Sequence, residues 1–351
     1  MAQATIRIIN NERLKFRLRK KALNYADEFS WDQTAGEFIK RVRMGQNPLI
    51  SIIIPTYNRK QELTRLIESI KQSGYPKESI EIIVVDDAST DGTYRSIRKR
   101  FPDVKVIRNT KRRMTSGARN IGIKCSKGDY LFFIDHDNVI DRNAINELVN
   151  FMERNRDVGL AGPVMYYYSV PKEIWCAGGK LRQPLYFTSW MFQHETSEIP
   201  QVANTYAMEC DYIPNAFMVR KRIIKEIGFF DEKNFPLLWE DADFSLRIKQ
   251  RGYQIVIVPR AKVWHDVSTG RDFHITEERA FFRGRDRTRF YLKYVPLRTL
   301  MLPIDMLGFS VVLFAYDRGS RGSKKLLQYL KGIVHGLVLA TSANQYKKEQ
   351  S

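Results

Sequence analysis

Tyr130-Leu131-Phe132-Phe133-Ile134-Asp135-His136-Asp137 reads as a strand that ends in two carboxylates one residue apart. Five consecutive apolar residues, without polar alternation, describe a strand buried on both faces. Open α/β sheets place their ligands at the carboxyl ends of such strands, so Asp135 and Asp137 arrive at the edge where a ligand would sit. A hard divalent cation takes one or two protein carboxylates and leaves its other positions to water and substrate phosphates, which suits this spacing. A solvated turn closing the strand would use the same residues, and the D-x-D triplet alone leaves both readings open.

Working outward, strands and helices alternate. Leu49 to Ile54 is an apolar run ending at Pro55, Lys60 to Ser73 has helical spacing through Leu63, Leu66, Ile67 and Ile70, and Ile80 to Val85 is a second strand ending in Asp86-Asp87. That is a βαβ unit, parallel and right-handed. Helices are expected at Thr93 to Arg100 and Gly117 to Cys125, with a short strand at Val104 to Ile107 between them. Further on, a helix is expected at Phe244 to Gln250 and a strand at Ile255 to Val258, followed by a turn from Pro259 to Trp264 that leads to His265. The turn Pro55-Thr56-Tyr57-Asn58-Arg59 exposes an aromatic ring that can stack on a base. Asp86 and Asp87 can accept from a base or a ribose, whereas Thr90 or Asp91 can simply cap the helix that follows.

Composition restricts the function classes. The chain has 351 residues, 43% hydrophobic and 12% aromatic, enough for a full α/β core and extra elements. Cys125, Cys176 and Cys210 are odd in number, far apart and without a C-x-x-C pair, so free thiols in a reducing compartment are expected rather than zinc or disulfides. The N-terminus lacks an apolar core ending in small residues, which predicts a cytosolic active site. Of the net charge of +19, residues 1–47 and 271–351 together carry +13. Basic flanks fit an anionic lipid surface or nucleic acid, or a solvated surface with no partner.

Trp239-Glu240-Asp241-Ala242-Asp243 crowds three acids at a helix start. Like charges raise the pKa of one member, but acids favour a helix N-terminus without any catalytic reason.

Read in order, I-I-I-P-T-Y-N-R, V-V-D-D-A-S-T-D-G-T, G-A-R-N-I-G-I, G-D-Y-L-F-F-I-D-H-D and W-E-D-A-D-F-S-L-R resemble the family 2 glycosyltransferases, over about Pro48 to Asp266. The resemblance implies α/β architecture of GT-A type, a Rossmann-like mixed sheet flanked by helices. It implies a donor half at about 48–140 and an acceptor half at about 141–270, and helical extensions are expected outside it at 1–47 and 271–351. By position, Pro55, Thr56, Tyr57 and Arg59 would cradle base and ribose. Asp86, and less directly Asp87, would bond the base, Arg119 would lie near the diphosphate or sugar, and Asp135 would touch ribose or sugar hydroxyls. Asp137 would bind Mn2+ or Mg2+, with His265 as a second ligand, and Asp241 would be the catalytic base of an inverting transfer. The donor would be a UDP-, GDP- or dTDP-sugar, and the acceptor a hydroxyl of a lipid-linked or polymeric glycan. His136 departs from the commoner Asp or Asn of the motif, and Met165 to Tyr206 matches no pattern, which leaves the acceptor open.

The flanks carry the remaining expectations. Phe281 to Tyr291 interleaves aromatics with arginines, but no nucleic-acid module accompanies it. Leu297 to Tyr316 has a dozen large apolar residues interrupted by Arg298, Pro303 and Asp305, so an amphipathic segment lying in a membrane surface suits it better than a span, and a helix docked on the domain suits it too. Residues 18–39 resemble the closing helices of a GT-B glycosyltransferase, without the rest of that fold. The expected enzyme works at the cytoplasmic face of the membrane as a peripheral protein. A nucleotide-sugar binding protein without catalysis, or a nucleic-acid binding protein, are the alternatives.

Overall fold

Strand β1 (Ile50–Thr56) lies between β2 (Ile80–Asp86) and β4 (Tyr130–Phe133), parallel to both, and β3 (Lys105–Arg108) extends the sheet beyond β2. The computed structural model describes residues 47–182, 187–196, 205–267, 275–295, 302–304, 306–311 and 320–348. The resemblance read in residues 18–39 lies outside them, as does most of Leu297 to Tyr316. Pro48–Ser351 form one compact unit.

The helices of the first half are α1 (Lys60–Lys71), α2 (Thr93–Arg100) and α3 (Met114–Cys125). The second half adds β5 (Asn138–Ile140), α4 (Ala144–Arg154), β6 (Val158–Tyr167), β7 (Ile174–Cys176), the hairpin β8 (Gly179–Arg182) and β9 (Phe187–Trp190), β10 (Met208–Glu209) and β11 (Phe217–Arg220). It closes with α5 (Lys221–Ile227), α6 (Glu240–Gln250), β12 (Gln254–His265), α7 (Glu277–Tyr294) and α8 (Ser320–Lys348). The mixed sheet runs β10-β12-β6-β11-β4-β1-β2-β3, with β11 antiparallel to both β4 and β6. The chain steps outward from β1 through β2 to β3 and then returns to the other side of β1 as β4. That reversal puts the switch point of the sheet between β1 and β4, where a crevice opens at the strand ends.

The core explains the apolar runs. Ile50, Ile52, Ile53 and Ile54 of β1 and Leu131, Phe132 and Phe133 of β4 are fully buried, because helices cover both faces of the parallel strands. Helix α3 approaches β1 closely at Gly122, where an added Cβ would come 2.3 Å from a methyl of Ile53.

Two expectations are corrected. Helix α3 starts at Met114, not Gly117, since the backbone N–H groups of Arg113 and Met114 donate to the carboxylate of Asp87 (2.8 and 2.9 Å). The cap comes from a remote loop, which no local signal announces. Pro259 to Trp264 is also no turn: β12 continues through it to His265, and the register against β6 shifts between Val258 and Lys262. A proline that cannot donate to the ladder is tolerated at such an irregularity.

Helices α7 and α8 cross through glycines. A Cβ at Gly284 would stand 2.2 Å from the carbonyl oxygen of Tyr329, and one at Gly332 would stand 2.0 Å from that of Phe281. Gly284→Ala is therefore expected to destabilise the fold by about 1–3 kcal/mol despite the better helix propensity of alanine. Denaturant melts of the two proteins check this, and an unchanged midpoint would mean that the helices do not meet there.

Candidate active site

At the switch point a cleft of about 890 Å3 is lined by Pro55, Thr56, Tyr57, Arg59, Asp87, Asp135, Asp137, Asp241 and His265. Asp86 and Arg119 are not in its lining. Asp86 is fully buried beside it, accepts from the N–H of Ser89 (3.3 Å) and has Arg108 Nε 3.5 Å away. Burial pushes its carboxyl above the usual range, against the pull of Ser89 and Arg108. Both oxygens of Asp87 are taken, by Asn109 Nδ2 (2.8 Å) and by the N-terminus of α3. Asp91 accepts from the N–H of Thr93 (3.0 Å), at the start of α2.

The turn after β1 is tied to the turn after β2. Asn58, at φ 54°, accepts from Thr90 N–H (2.7 Å) and donates its own N–H to Ser89 Oγ (2.9 Å). Tyr57 is thereby presented to the cleft with the guanidinium of Arg112 stacked 4.0 Å from its ring centre. Arg59 is mostly exposed and pairs with Glu62 at 3.1 Å.

Three acids meet around one arginine at the cleft floor. Arg119, fully buried on α3, donates to Asp135 Oδ1 (3.0 Å) and to Asp241 Oδ1, and lies 3.7 Å from Glu240 Oε1. Burial disfavours its charge, but Asp241, Asp135 and Glu240 together hold the guanidinium protonated beyond its ordinary value. Glu240 is pushed well above the usual carboxylate range, first by burial and then by the charge of Asp241. Asp135 is also raised, chiefly by burial, with Arg119 pulling the other way. Asp241 keeps its second oxygen on the backbone N–H of Asn215 (2.9 Å).

Strand register brings Asp137 and His265 together. β5 pairs antiparallel with the end of β12, so that Asn138 stands opposite His265. The imidazole Nε2 then lies 3.4 Å from Asp137 Oδ1. Burial opposes the charge of Asp137, yet the neighbouring imidazole of His265 outweighs it and holds the carboxyl well below its usual range. Asp137 Oδ1 has no hydrogen-bond partner, and neither has His265 Nδ1. A buried orphan oxygen beside an imidazole suits a hard divalent cation, which asks for few protein ligands. No group of three or more His, Cys, Asp or Glu side chains that could hold a metal occurs among the described residues.

Sequence reasoning missed Asn215. Its Oδ1 accepts from Asn138 Nδ2 (2.8 Å), which turns its own Nδ2 toward His265 Nε2 (3.1 Å), while its backbone holds Asp241. Asn215 (φ 66°) and Trp239 (φ 67°) both sit in the left-handed region on either side of Asp241, and strain of this kind gathers at working sites. Trp175, edge-on to His265 with ring centres 4.4 Å apart, was missed as well. No spacing rule marks either residue, because strand pairing alone brings them here.

The arginine-rich helix α7 forms one wall of the cleft. Arg279, Arg283 and Arg287, one helical turn apart, line it. The rest of the interleave holds the helix in place. Lys293 Nζ and Tyr294 OH donate to the buried Asp243 (2.6 and 2.7 Å), Phe290 packs on Trp239 with centroids 4.4 Å apart, and Asp286 accepts from the N–H of Leu238 (3.0 Å). Asp243 is thus an anchor for α7.

Burial pushes Asp286 up to about 7, against the opposing pull of Arg285. An acid whose folded pKa exceeds its unfolded value of about 4 contributes stability that is present below that value and lost as pH rises toward 7. The melting temperature of the native chain should therefore fall relative to that of Asp286→Asn between pH 4 and 7. Parallel curves would show that Asp286 does not titrate in that window.

A sheet with its crevice at the β1/β4 switch point, acids at the strand ends and a carboxylate across the cleft describes a nucleotide-dependent transferase of GT-A type. The chain belongs to glycosyl transferase family 2, whose model matches residues 51–228, just over half of its length. It is similar to the poly(ribitol-phosphate) beta-glucosyltransferase of Bacillus spizizenii, 38% identical over 111 residues, 30% of this chain and 18% of that protein. An uncharacterized glycosyltransferase of Haemophilus influenzae is 36% identical over 110 residues, 31% of this chain and 36% of that one. The chain thus spans well under half the length of these relatives. The fold is shared with GalNAc-T7, solved with UDP, GalNAc and Mn2+ (TM-score 0.53, 18% identity, 70% of this chain and 50% of that one). It is shared too with the mannosyltransferase PcManGT of Pyrobaculum calidifontis in complex with GDP-Man and Mn2+ (0.52, 17%, 83% and 88%).

Proposed function

We propose that the chain transfers a sugar, with inversion, from a nucleotide-sugar to a hydroxyl of a phosphate-bearing polymeric or lipid-linked glycan. The observation that carries this reading is that Asp137, just past β4, and Asp241, at the start of α6, line one cleft. Pro55, Thr56 and Tyr57 bind base and ribose, Tyr57 by stacking. Asp135, steered by Arg119, meets sugar or ribose hydroxyls. Asp137 and His265 would hold Mn2+ or Mg2+, whose chemistry is to neutralise the charge of the diphosphate leaving group. Asp241 takes the proton from the acceptor hydroxyl as the new C–O bond forms, on the face of the sugar opposite the departing diphosphate.

The acceptor class rests on two supports. One is the similarity to the poly(ribitol-phosphate) beta-glucosyltransferase of Bacillus spizizenii. The other is the wall of Arg279, Arg283 and Arg287, since guanidinium groups bind phosphates bidentately. The three free thiols and the basic flanks fit work on the cytoplasmic side of an anionic membrane surface.

A panel of UDP-, GDP- and dTDP-sugars with and without Mn2+ tests the donor, because a ligand that binds the folded state raises the melting temperature. One nucleotide-sugar should shift it, and more so with the metal. Arg279→Gln with Arg283→Gln and Arg287→Gln is expected to slow transfer to a phosphate-bearing polymer by about tenfold or more while leaving the donor-induced shift in place. Loss of the shift would move the arginines to the donor diphosphate, and no shift with any of the three nucleotides would overturn the reading.

A further inference from the structure

Helix α8 turns its apolar side chains the wrong way for packing. Its inner face is already filled, by Tyr329 and Ile333 at 1% and 2% exposure and by Gly332 and Gly336 against the backbone of α7. Leu327, Leu330, Val334, Leu337 and Val338 point outward, 40% to 60% exposed. At 3.6 residues per turn they occupy a single arc of about 100°. The helical residues 302–304 and 306–311 repeat the pattern, with Ile304, Leu307 and Val311 at 49%, 69% and 59% exposure. Eight of the twelve exposed large apolar side chains among the described residues therefore fall between 304 and 338, and a patch of that kind marks an interaction surface.

Charge selects the occupant. Lys324, Lys331 and His335 are exposed and follow one another along the edge of the arc, within about 40° of one another on the helix. No acidic residue occurs between Ser320 and Lys348, and residues 271–351 hold 15 Lys and Arg against seven Asp and Glu. An apolar stripe bordered by cations fits an anionic bilayer, with stems in the acyl boundary and ammonium groups among the headgroups. No helix of the described residues is long and apolar enough to cross a membrane, so the geometry suited to α8 is one parallel to the surface.

We infer that the face of α8 carrying Leu327, Leu330, Val334, Leu337 and Val338 docks the chain on an anionic lipid bilayer, with Lys324 and Lys331 against the headgroups. Helix α7 stands between this face and the cleft, with Arg279, Arg283 and Arg287 toward the cleft and Gly284 toward α8. The bilayer thus lies one helix behind the site, a placement suited to an acceptor carried on lipid. The surface argument itself does not depend on the transfer reaction.

Flotation of the full chain with phosphatidylcholine vesicles, with and without phosphatidylglycerol, tests it and needs neither donor nor acceptor. The chain should float with the anionic vesicles and much less with the neutral ones. Leu327→Gln with Val334→Gln should lower partitioning by about tenfold or more at any salt concentration. Lys324→Gln with Lys331→Gln should lower it by about thirtyfold at low ionic strength, with the difference shrinking as salt rises. Both pairs are solvent-facing, so their melting temperatures and nucleotide-sugar shifts should equal those of the native chain, which separates lost docking from lost folding. A native chain that stays with the protein fraction beside anionic vesicles overturns the inference. So does sedimentation showing a dimer that Leu327→Gln with Val334→Gln splits, since the stripe would then be covered by a second copy.

Discussion

Asp241→Asn is expected to lower sugar transfer by about 10²- to 10⁴-fold, the range in which a positioned general base contributes, while the melting shift produced by the nucleotide-sugar persists. Asp241 stands at the start of α6 with one oxygen on Arg119 and the other on the N–H of Asn215. Both contacts orient the carboxylate and leave its remaining lone pairs for an acceptor hydroxyl. Pairing with an arginine would blunt a base if the pair were isolated, but here Asp135, Glu240 and Asp241 share one guanidinium. Arg119 therefore steers three acids without neutralising all of them. In the asparagine variant one amide hydrogen must face either Arg119 or the Asn215 N–H, so a stability cost of about 1–3 kcal/mol accompanies the loss of the base. The proposed donor site uses Tyr57, Asp135 and Asp137, just past the ends of β1 and β4. Transfer that stays within a few-fold of native would remove Asp241 from the chemistry, and a lost donor shift would show that it binds the sugar instead.

The parallel half of this fold was legible because its signals are local. Ile52-Ile53-Ile54 and Leu131-Phe132-Phe133 are buried on both faces and show it by being apolar without interruption. The acidic pairs Asp86-Asp87 and Asp135-His136-Asp137 then located the crevice, since each lies at or just past the end of a parallel strand. What stayed hidden depends on contacts between distant residues. Asp87 reads as a ligand for a base because it follows a strand, yet it caps a helix whose first residue comes 27 positions later. Pro259 reads as a turn because it cannot donate to a ladder, yet β12 absorbs it at a register shift. Asn215 carries no local mark, and only the pairing of β11 with β4 and of β5 with β12 delivers it between Asp241 and His265. The arginines of α7 were visible as a composition, but a composition does not say that three of them line a cleft while Arg285 and Arg289 grip the loop at Lys233 and Asn234.

Asp137→Ala is expected to abolish the metal-dependent part of nucleotide binding. In the native chain a nucleotide-sugar supplied at 100 times its dissociation constant stabilises the fold by about 2.7 kcal/mol, and Mn2+ should account for much of that gain. Asp137 lines the cleft, and its buried Oδ1, 3.4 Å from His265 Nε2, has no hydrogen-bond partner. Removing it takes away the proposed carboxylate ligand, while Asp135 stays engaged by Arg119. The variant should keep its fold: the neighbouring backbone contact, Asp266 N–H to the carbonyl of residue 137 at 2.8 Å, does not involve the side chain. Melting curves with nucleotide alone and with nucleotide plus Mn2+ should therefore coincide for Asp137→Ala and separate for the native chain, and His265→Ala should fall between them. Curves that separate equally in all three proteins would place the cation elsewhere and leave Asp137 as a structural partner of His265.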